Sequence, residues 1–222
     1  MKVLIIVPAF NEEAVIRSVI DDLLGHGYKD ILVIDDGSSD KTFQTARTKK
    51  VITVSHIVNR GLGASLGTGF TYAKKRNYEA LVTFDADGQH RALDISKLLT
   101  KIKNGTDVVI GSRASNQKSM PRMRRFLNWS SNFMTFLMTG IWTTDSLSGL
   151  RAFNRKAIES VSIKTDRMEV SNEFFKEIGR NKLKLDEVPI KAIYTEYSLT
   201  NSKQGRFASI KIGLKLLLRL FR

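Results

Sequence analysis

Apolar residues in the first half of the chain fall into short runs separated by stretches of helical spacing. Val3–Val7, Asp30–Ile34, Val51–Ile57, Ala80–Phe84 and Val108–Ile110 are aliphatic and β-branched, which predicts buried strands. Between them, Glu12–Leu24, Lys41–Thr48, Ala64–Lys75 and Leu93–Ile102 repeat apolar positions every three or four residues, with Asp40 and Ser65 as nearby capping candidates. Strand–helix alternation of this kind predicts an α/β fold, a mainly parallel central sheet with flanking helices. Ligands of such sheets bind beyond the carboxyl ends of the strands. Chemistry is therefore expected after the first, second and fourth strands.

The second half is less regular. It predicts a helix over Phe126–Met138, a short strand over Leu150–Phe153, a helix over Asn172–Arg180, a strand over Leu185–Tyr194 with Pro189 near a sheet edge, and a last helix over Ile210–Phe221. No repeat or linker-like stretch interrupts it. One domain over residues 1–206 is expected, followed by a basic amphipathic helix over 207–222 that belongs to the same domain or anchors it to a membrane surface.

Composition narrows the function. A chain of 222 residues with 42% hydrophobic content can bury one sizeable core. The absence of cysteine excludes disulfides and thiolate metal sites. The most apolar long stretch, Phe126 to Trp142, is interrupted by Asn128, Ser130, Ser131, Asn132 and Gly140, so an integral membrane span is not expected. The net charge of +14 is uneven. Gly111 to Thr144 holds no acid but has Arg113, Lys118, Arg122, Arg124 and Arg125; Tyr197 to Arg222 holds none but has Lys203, Arg206, Lys211, Lys215, Arg219 and Arg222. Such fields attract phosphate, anionic lipid or nucleic acid. No recognised nucleic-acid-binding motif is present, so nucleic acid is not expected as a partner.

Three strand ends carry candidate chemistry. Asp85-Ala86-Asp87-Gly88-Gln89-His90 places two carboxylates two residues apart before a glycine, an arrangement suited to a hard cation such as Mg²⁺ or Mn²⁺ or to an acidic turn. Asp35-Asp36-Gly37-Ser38-Ser39-Asp40 offers carboxylates to a base or ribose, or caps a helix through Asp40. Pro8-Ala9-Phe10-Asn11-Glu12 is the third such end. The run Gly61-Leu62-Gly63-Ala64-Ser65-Leu66 fails the dinucleotide fingerprint at its sixth position; Gly61 and Gly63 are expected to let the backbone pass close to a ligand.

Taken together and in this order, these segments resemble glycosyltransferase family 2, inverting enzymes of the GT-A fold. Gly111-Ser112-Arg113 and Asp145-Ser146-Leu147-Ser148-Gly149-Leu150-Arg151-Ala152 resemble the branch of dolichol-phosphate mannosyl and other polyprenyl-phosphate sugar transferases. The resemblance implies that Asp35 and Asp36, with Pro8, Ala9 and Glu12 beside them, contact the nucleoside of a UDP- or GDP-sugar donor. It implies that Asp85, Asp87 and Gln89 hold the divalent metal, that Lys203 sits near the donor phosphates, and that Arg113 and Arg124 meet the acceptor phosphate. Asn128 stands where the branch often has a hydroxyl residue. Asp145 either orients an arginine or serves as base for a hydroxyl acceptor on a glycan, the alternative reaction. A phosphate acceptor needs no such base, since its second pKa lies near ~6. The expected setting is cytoplasmic and peripheral, on an anionic membrane surface at the inner face, with room for a separate membrane protein as partner.

Overall fold

The computed structural model describes residues 1–114 and 122–193, the side chains of 122–124 and 127 excepted. The elements, in order, are β1 Val3–Ala9, α1 Ile16–Gly25, β2 Ile31–Asp35, α2 Thr42–Arg47, β3 Ile52–Ser55, α3 Leu62–Lys75, β4 Ala80–Thr83, α4 Ala92–Lys103, β5 Val108–Ser112, α5 Arg122–Thr139, β6 Arg151–Asn154, α6 Arg155–Ser160, α7 Val170–Arg180 and β7 Leu185–Pro189. They form one seven-stranded sheet in the order β3-β2-β1-β4-β6-β5-β7, parallel except for β6, which runs antiparallel to both neighbours. The expected mainly parallel α/β architecture is therefore present.

Strand β1 is buried on both faces, and its alternation builds two cores. Ile5, Val7 and Ala9 pack with Ile16, Ile20 and Leu23 of α1 and Ile95 and Leu98 of α4. Leu4 and Ile6 point the other way, onto Leu66 and Phe70 of α3, Phe153 of β6 and Phe174 of α7. Helix α3 lies directly on β1: a Cβ on Gly69 would come within 2.7 Å of the Ile6 side chain.

Register brings the strand ends together. Ala9 pairs with Asp35, Asp35 with Ser55, and Ile6 with Thr83, so β1, β2, β3 and β4 present their carboxyl ends along one edge. Because β6 is antiparallel, it begins where β4 and β5 end, Arg151 pairing with both Thr83 and Ile110. That reversal carries the loop over residues 145–150 to the same edge.

Local differences from expectation have local causes. The helix expected from Glu12 starts at Ile16. Asn11 sits at φ 53°, and the Glu12 N–H is taken by Thr42 Oγ1 at 2.7 Å, so the chain turns before the helix can begin. The short α6 shows no period in the sequence; it forms because Asn154 Oδ1 accepts the Ala157 N–H at 2.8 Å. The last strand stops at Pro189 on the outermost position of the sheet, where a residue without N–H is tolerated. Ser65 is buried inside α3 rather than at its cap. Asp40 Oδ1 does accept the Thr42 N–H at 2.9 Å, one residue before the cap position. Gly61 and Gly63 correct the sequence reading: what approaches them is the chain's own segment, with Asp166 O 2.5 Å from a Cβ at Gly61 and Thr165 O 1.9 Å from one at Gly63. The helix expected over 207–222 lies outside the described residues.

Candidate functional site

Asp35 and Asp36, adjacent in sequence, have different tasks. At the end of β2, Asp35 Oδ2 accepts Ser55 Oγ–H at 2.7 Å, while Oδ1 is buried without a protein partner. A buried, orphaned carboxylate oxygen at a strand end is placed to meet a ligand donor. Asp36 has three protein donors: Oδ1 accepts from His56 Nδ1 at 2.7 Å and the Arg60 N–H at 3.0 Å, and Oδ2 accepts the Gly61 N–H at 2.6 Å. These bonds tie Asp36 to the loop before α3, and Oδ2, with one of them, keeps acceptor capacity. Pro8 and Ala9 pair with Ile34 and Asp35, and the Ala9 carbonyl accepts the Asp36 N–H at 2.8 Å. Glu12 is buried beside them, and its charge reaches Asp87.

Asp85 and Asp87 follow β4. Gly88 turns the chain at φ 73°. Asp87 Oδ1 accepts the Gln89 N–H at 3.0 Å and Oδ2 the Gln89 Nε2–H at 2.6 Å, so Gln89 steadies Asp87. Asp85 Oδ2 meets His90 Nε2 at 3.2 Å. Burial alone would raise the Asp85 pKa, but His90, Arg113 and Arg151 outweigh it and leave the carboxyl below its ordinary value. Asp87 is pushed upward, first by burial and then by the Asp85 charge. Two hard-oxygen donors whose charges oppose each other suit a divalent cation, which would relieve that repulsion. Among the described residues no group of three or more His, Cys, Asp or Glu side chains is arranged to hold a metal ion. A two-carboxylate set fits Mg²⁺ or Mn²⁺, which keep positions for water and substrate phosphate oxygens.

Gly149 makes room for this arrangement. A Cβ there would lie 2.0 and 2.1 Å from the Asp85 carboxylate oxygens, so only glycine admits that side chain. The Gly149 carbonyl accepts Thr83 Oγ1–H at 2.6 Å, which ties the loop to β4.

Asp145 and Arg113 form a closed pair. Asp145 has no exposed surface; its Oδ2 accepts the Arg113 N–H at 3.0 Å and Nε–H at 2.7 Å, and its Oδ1 accepts Nη2–H at 2.7 Å. Such a fork–fork pair fixes the guanidinium in one orientation. Glu187 of β7 supports the loop by accepting from Thr143 Oγ1, Thr144 Oγ1 and the Thr144 N–H.

Beneath both acids lies Arg151, which sequence reasoning quoted but gave no task. Its Nε donates to Ser148 O at 2.9 Å and its Nη2 to Ser146 O at 2.8 Å, while its guanidinium stacks 5.0 Å from the Phe174 ring. Burial pulls its pKa down to about 10, against the opposing pull of the Asp85 and Asp145 charges. A charged residue following the apolar Leu150 in a strand was the available signal. His90 was likewise passed over, although it is buried and touches Asp85.

Next to Arg113 in the chain, Ala114 lines a cleft of about 170 Å³ together with Arg125, Asn128, Trp129, Asn132, Trp142 and Thr144. Asn128 is buried, and its Oδ1 has no protein partner. The structure thus gathers Pro8, Ala9, Glu12, Asp35, Asp85, Asp87, Gln89, Arg113 and Asp145 along one sheet edge, with Asn128 in the adjoining cleft. The Arg124 side chain and Lys203 lie outside the described residues.

Comparison with known proteins identifies the family and the fold. Residues 4–162 match the model of glycosyl transferase family 2. The UDP-N-acetylglucosamine–dolichyl-phosphate N-acetylglucosaminyltransferase of Methanococcus voltae is 38% identical, over 97% of this chain and 93% of its own. The undecaprenyl-phosphate mannosyltransferase of Micrococcus luteus is 30% identical, over 92% and 88%. Among solved structures, glucosyl-3-phosphoglycerate synthase from Mycobacterium tuberculosis, in complex with Mn²⁺, UDP and phosphoglyceric acid, shares the fold with a TM-score of 0.74 at 20% identity, over 98% of this chain and 78% of that one. The chain belongs to glycosyltransferase family 2, a GT-A-fold enzyme in the branch of the polyprenyl-phosphate sugar transferases.

Proposed function

We propose that this enzyme transfers a hexose from a UDP- or GDP-sugar to a polyprenyl phosphate of the dolichyl or undecaprenyl type, with inversion at the anomeric carbon, at the cytoplasmic face of a membrane. The observation that carries this reading is the Arg113–Asp145 pair. Every oxygen of Asp145 is engaged by one arginine and the side chain is fully buried, so it positions a cation instead of accepting a substrate proton. A phosphate acceptor needs a fixed cation and no base, because it is already largely dianionic at neutral pH. The names of the M. voltae and M. luteus relatives, which specify dolichyl and undecaprenyl phosphate, support the same acceptor class.

In this mechanism Asp35 receives a donor hydroxyl or N–H on its unpartnered Oδ1, and Asp36 keeps the neighbouring loop in place. Asp85 and Asp87, with Gln89 beside them, would hold Mg²⁺ or Mn²⁺, which when bound supplies positive charge to the leaving diphosphate. Arg113 orients the acceptor phosphate so that one oxygen faces the anomeric carbon. That oxygen forms the new C–O bond as the bond to the nucleoside diphosphate breaks, which inverts the centre. The family resemblance assigns Lys203 to the leaving diphosphate and Arg124 and Asn128 to the acceptor phosphate.

The test is transfer from labelled UDP- and GDP-sugars to polyprenyl phosphate in detergent, with Asp87→Ala as comparison. Label in the organic phase is expected for the native chain and not for the variant. Label appearing only on water-soluble glycan hydroxyls would overturn the acceptor assignment.

A further inference from the structure

Strand β7 is the outermost of the sheet, beside β5, and one of its residues turns a carboxylate toward the loop over residues 143–145. Val188 packs into the core, so the alternation of the strand sends Glu187, paired with Ile110 of β5, to the opposite face. There Glu187 meets three neutral donors. Its Oε1 accepts Thr143 Oγ1–H and, at 2.9 Å, the Thr144 N–H; its Oε2 accepts Thr144 Oγ1–H. An ionised carboxylate only accepts, so the single hydroxyl hydrogen of Thr144 is committed to it. Ser112 Oγ, 2.6 Å from Thr144 Oγ1, must then supply the hydrogen of that bond. Ser112 Oγ in turn accepts the Ala114 N–H at 3.2 Å. The hydrogens therefore all point one way, from Ala114 through Ser112 and Thr144 to Glu187.

This relay spans the two segments that hold the Arg113 guanidinium. Ser112 and Ala114 flank Arg113 at the end of β5, and Thr143 and Thr144 precede Asp145 in the facing loop. A second branch reaches Asp145 itself: its N–H donates to Thr143 Oγ1 at 3.3 Å, the same hydroxyl that Glu187 holds. The Thr144 carbonyl accepts Asn132 Nδ2–H at 2.8 Å, so every hydrogen-bonding group of Thr144 is used. Thr144 and Ala114 both line the cleft. Asp145 fixes how the guanidinium is turned, and Glu187 fixes how the two segments stand to each other. Hydrogen bonds to a charged group are the stronger kind, and bonds in a chain polarise one another, so an ion at the end of the relay stiffens each bond in it.

We propose that Glu187 is a positioning residue for the acceptor phosphate: without touching substrate, it locks the end of β5 against the 143–145 loop and so sets where Arg113 presents its guanidinium. This rests on the acceptor-phosphate reading of Arg113. The test is Glu187→Gln, which keeps the shape of the side chain and reverses the wiring. The amide Nε2 then donates to Thr144 Oγ1, the Thr144 hydrogen turns to Ser112 Oγ, and the Ser112 hydrogen loses its acceptor. With the nucleotide-sugar donor, Mn²⁺ and a short-chain prenyl phosphate, the acceptor KM should rise about tenfold while kcat, donor KM and Mn²⁺ affinity stay within about twofold. Ser112→Ala should raise the same KM, and the double variant should raise it by less than the product of the two single effects, because both cut one relay. Amide exchange read by mass spectrometry should quicken at 112–114 and 143–145 with the melting profile unchanged. Equal rises in donor and acceptor KM, together with a lowered melting temperature, would overturn the proposal by making Glu187 a support of the fold at large. So would an unchanged acceptor KM, or single effects that multiply in the double variant. If neither the native chain nor the variant transfers to the prenyl phosphate, yet exchange quickens in those two segments alone, the proposed reaction falls and the role of Glu187 in placing Arg113 stands.

Discussion

Gly149→Ala is expected to disable the site while leaving the fold in place. The added Cβ would lie 2.0 Å from Asp85 Oδ2 and 2.1 Å from Oδ1. Contacts that short do not persist in a packed protein, so the carboxylate must retreat by about 1 Å or turn away. A misplacement of about 1 Å in a catalytic constellation costs on the order of 10²-fold in rate. Overpacking of one methyl costs about 1–3 kcal/mol in stability, and each kcal/mol lowers the melting temperature by about 2–4 °C in a chain of this size. The assay is kcat/KM for sugar transfer beside a thermal melt, with Mn²⁺ affinity by titration as a readout independent of turnover. Gly25→Ala serves as control, since nothing lies within 4 Å of its added Cβ. Activity and Mn²⁺ affinity should both fall about 10²-fold while the protein stays folded. Wild-type activity and Mn²⁺ affinity in a folded Gly149→Ala protein would refute the placement of Asp85 at the reacting centre.

Other expectations follow from the same geometry. Asp35→Asn should raise the donor KM with little change in melting temperature, whereas Asp36→Asn should destabilise by about 1–3 kcal/mol because it loosens the Arg60–Gly61 backbone; denaturant titration separates them. Asp145→Asn should raise the acceptor KM and keep a rate that climbs with pH through the phosphate's own second pKa near ~6; disappearance of that limb would make Asp145 a base after all. Arg151→Met should cost about 2–6 kcal/mol, since the buried carbonyls of Ser148 and Ser146 each lose a charged donor, at about 1–3 kcal/mol apiece, and urea unfolding would read it. Asp107 supplies a pH test of the fold. Burial would raise its pKa, but hydrogen bonds from the Lys184 N–H, Lys156 and Asn154 hold it below the ordinary value. A depressed carboxyl contributes stability above its unfolded pKa of ~3.9, and that contribution is lost as pH falls through the folded value. The difference between native protein and Asp107→Asn should thus be largest near neutrality and shrink in acid.

The sheet and its functional edge were legible in the sequence because buried parallel strands read as continuous apolar runs and their ends carry the acids. Val3–Val7 and Ala80–Phe84 needed no tertiary information to be seen as strands. What one-dimensional pattern does not contain is direction and partnership. Nothing in Leu150–Phe153 says that β6 runs against its neighbours, yet that reversal brings Gly149 to Asp85 and Arg151 beneath it. The adjacent acids Asp35 and Asp36 look equivalent until Ser55, His56 and Gly61 claim their oxygens unequally. Gly61 and Gly63 announced a close approach, but its identity, the segment at 165–166, depended on a fold-level contact a hundred residues away. The outward aromatics of α5 looked like any helical stripe, since periodicity shows that faces differ and not which face is turned to the protein.

The most direct measurement is organic-phase extraction after incubating the protein with labelled UDP- and GDP-sugars, a divalent cation and polyprenyl phosphate. Label should enter the lipid phase with one nucleotide-sugar, be abolished by chelator, and be lost in Asp87→Ala. Undiminished transfer after metal removal, or label found only on glycan hydroxyls, would contradict the proposed reaction.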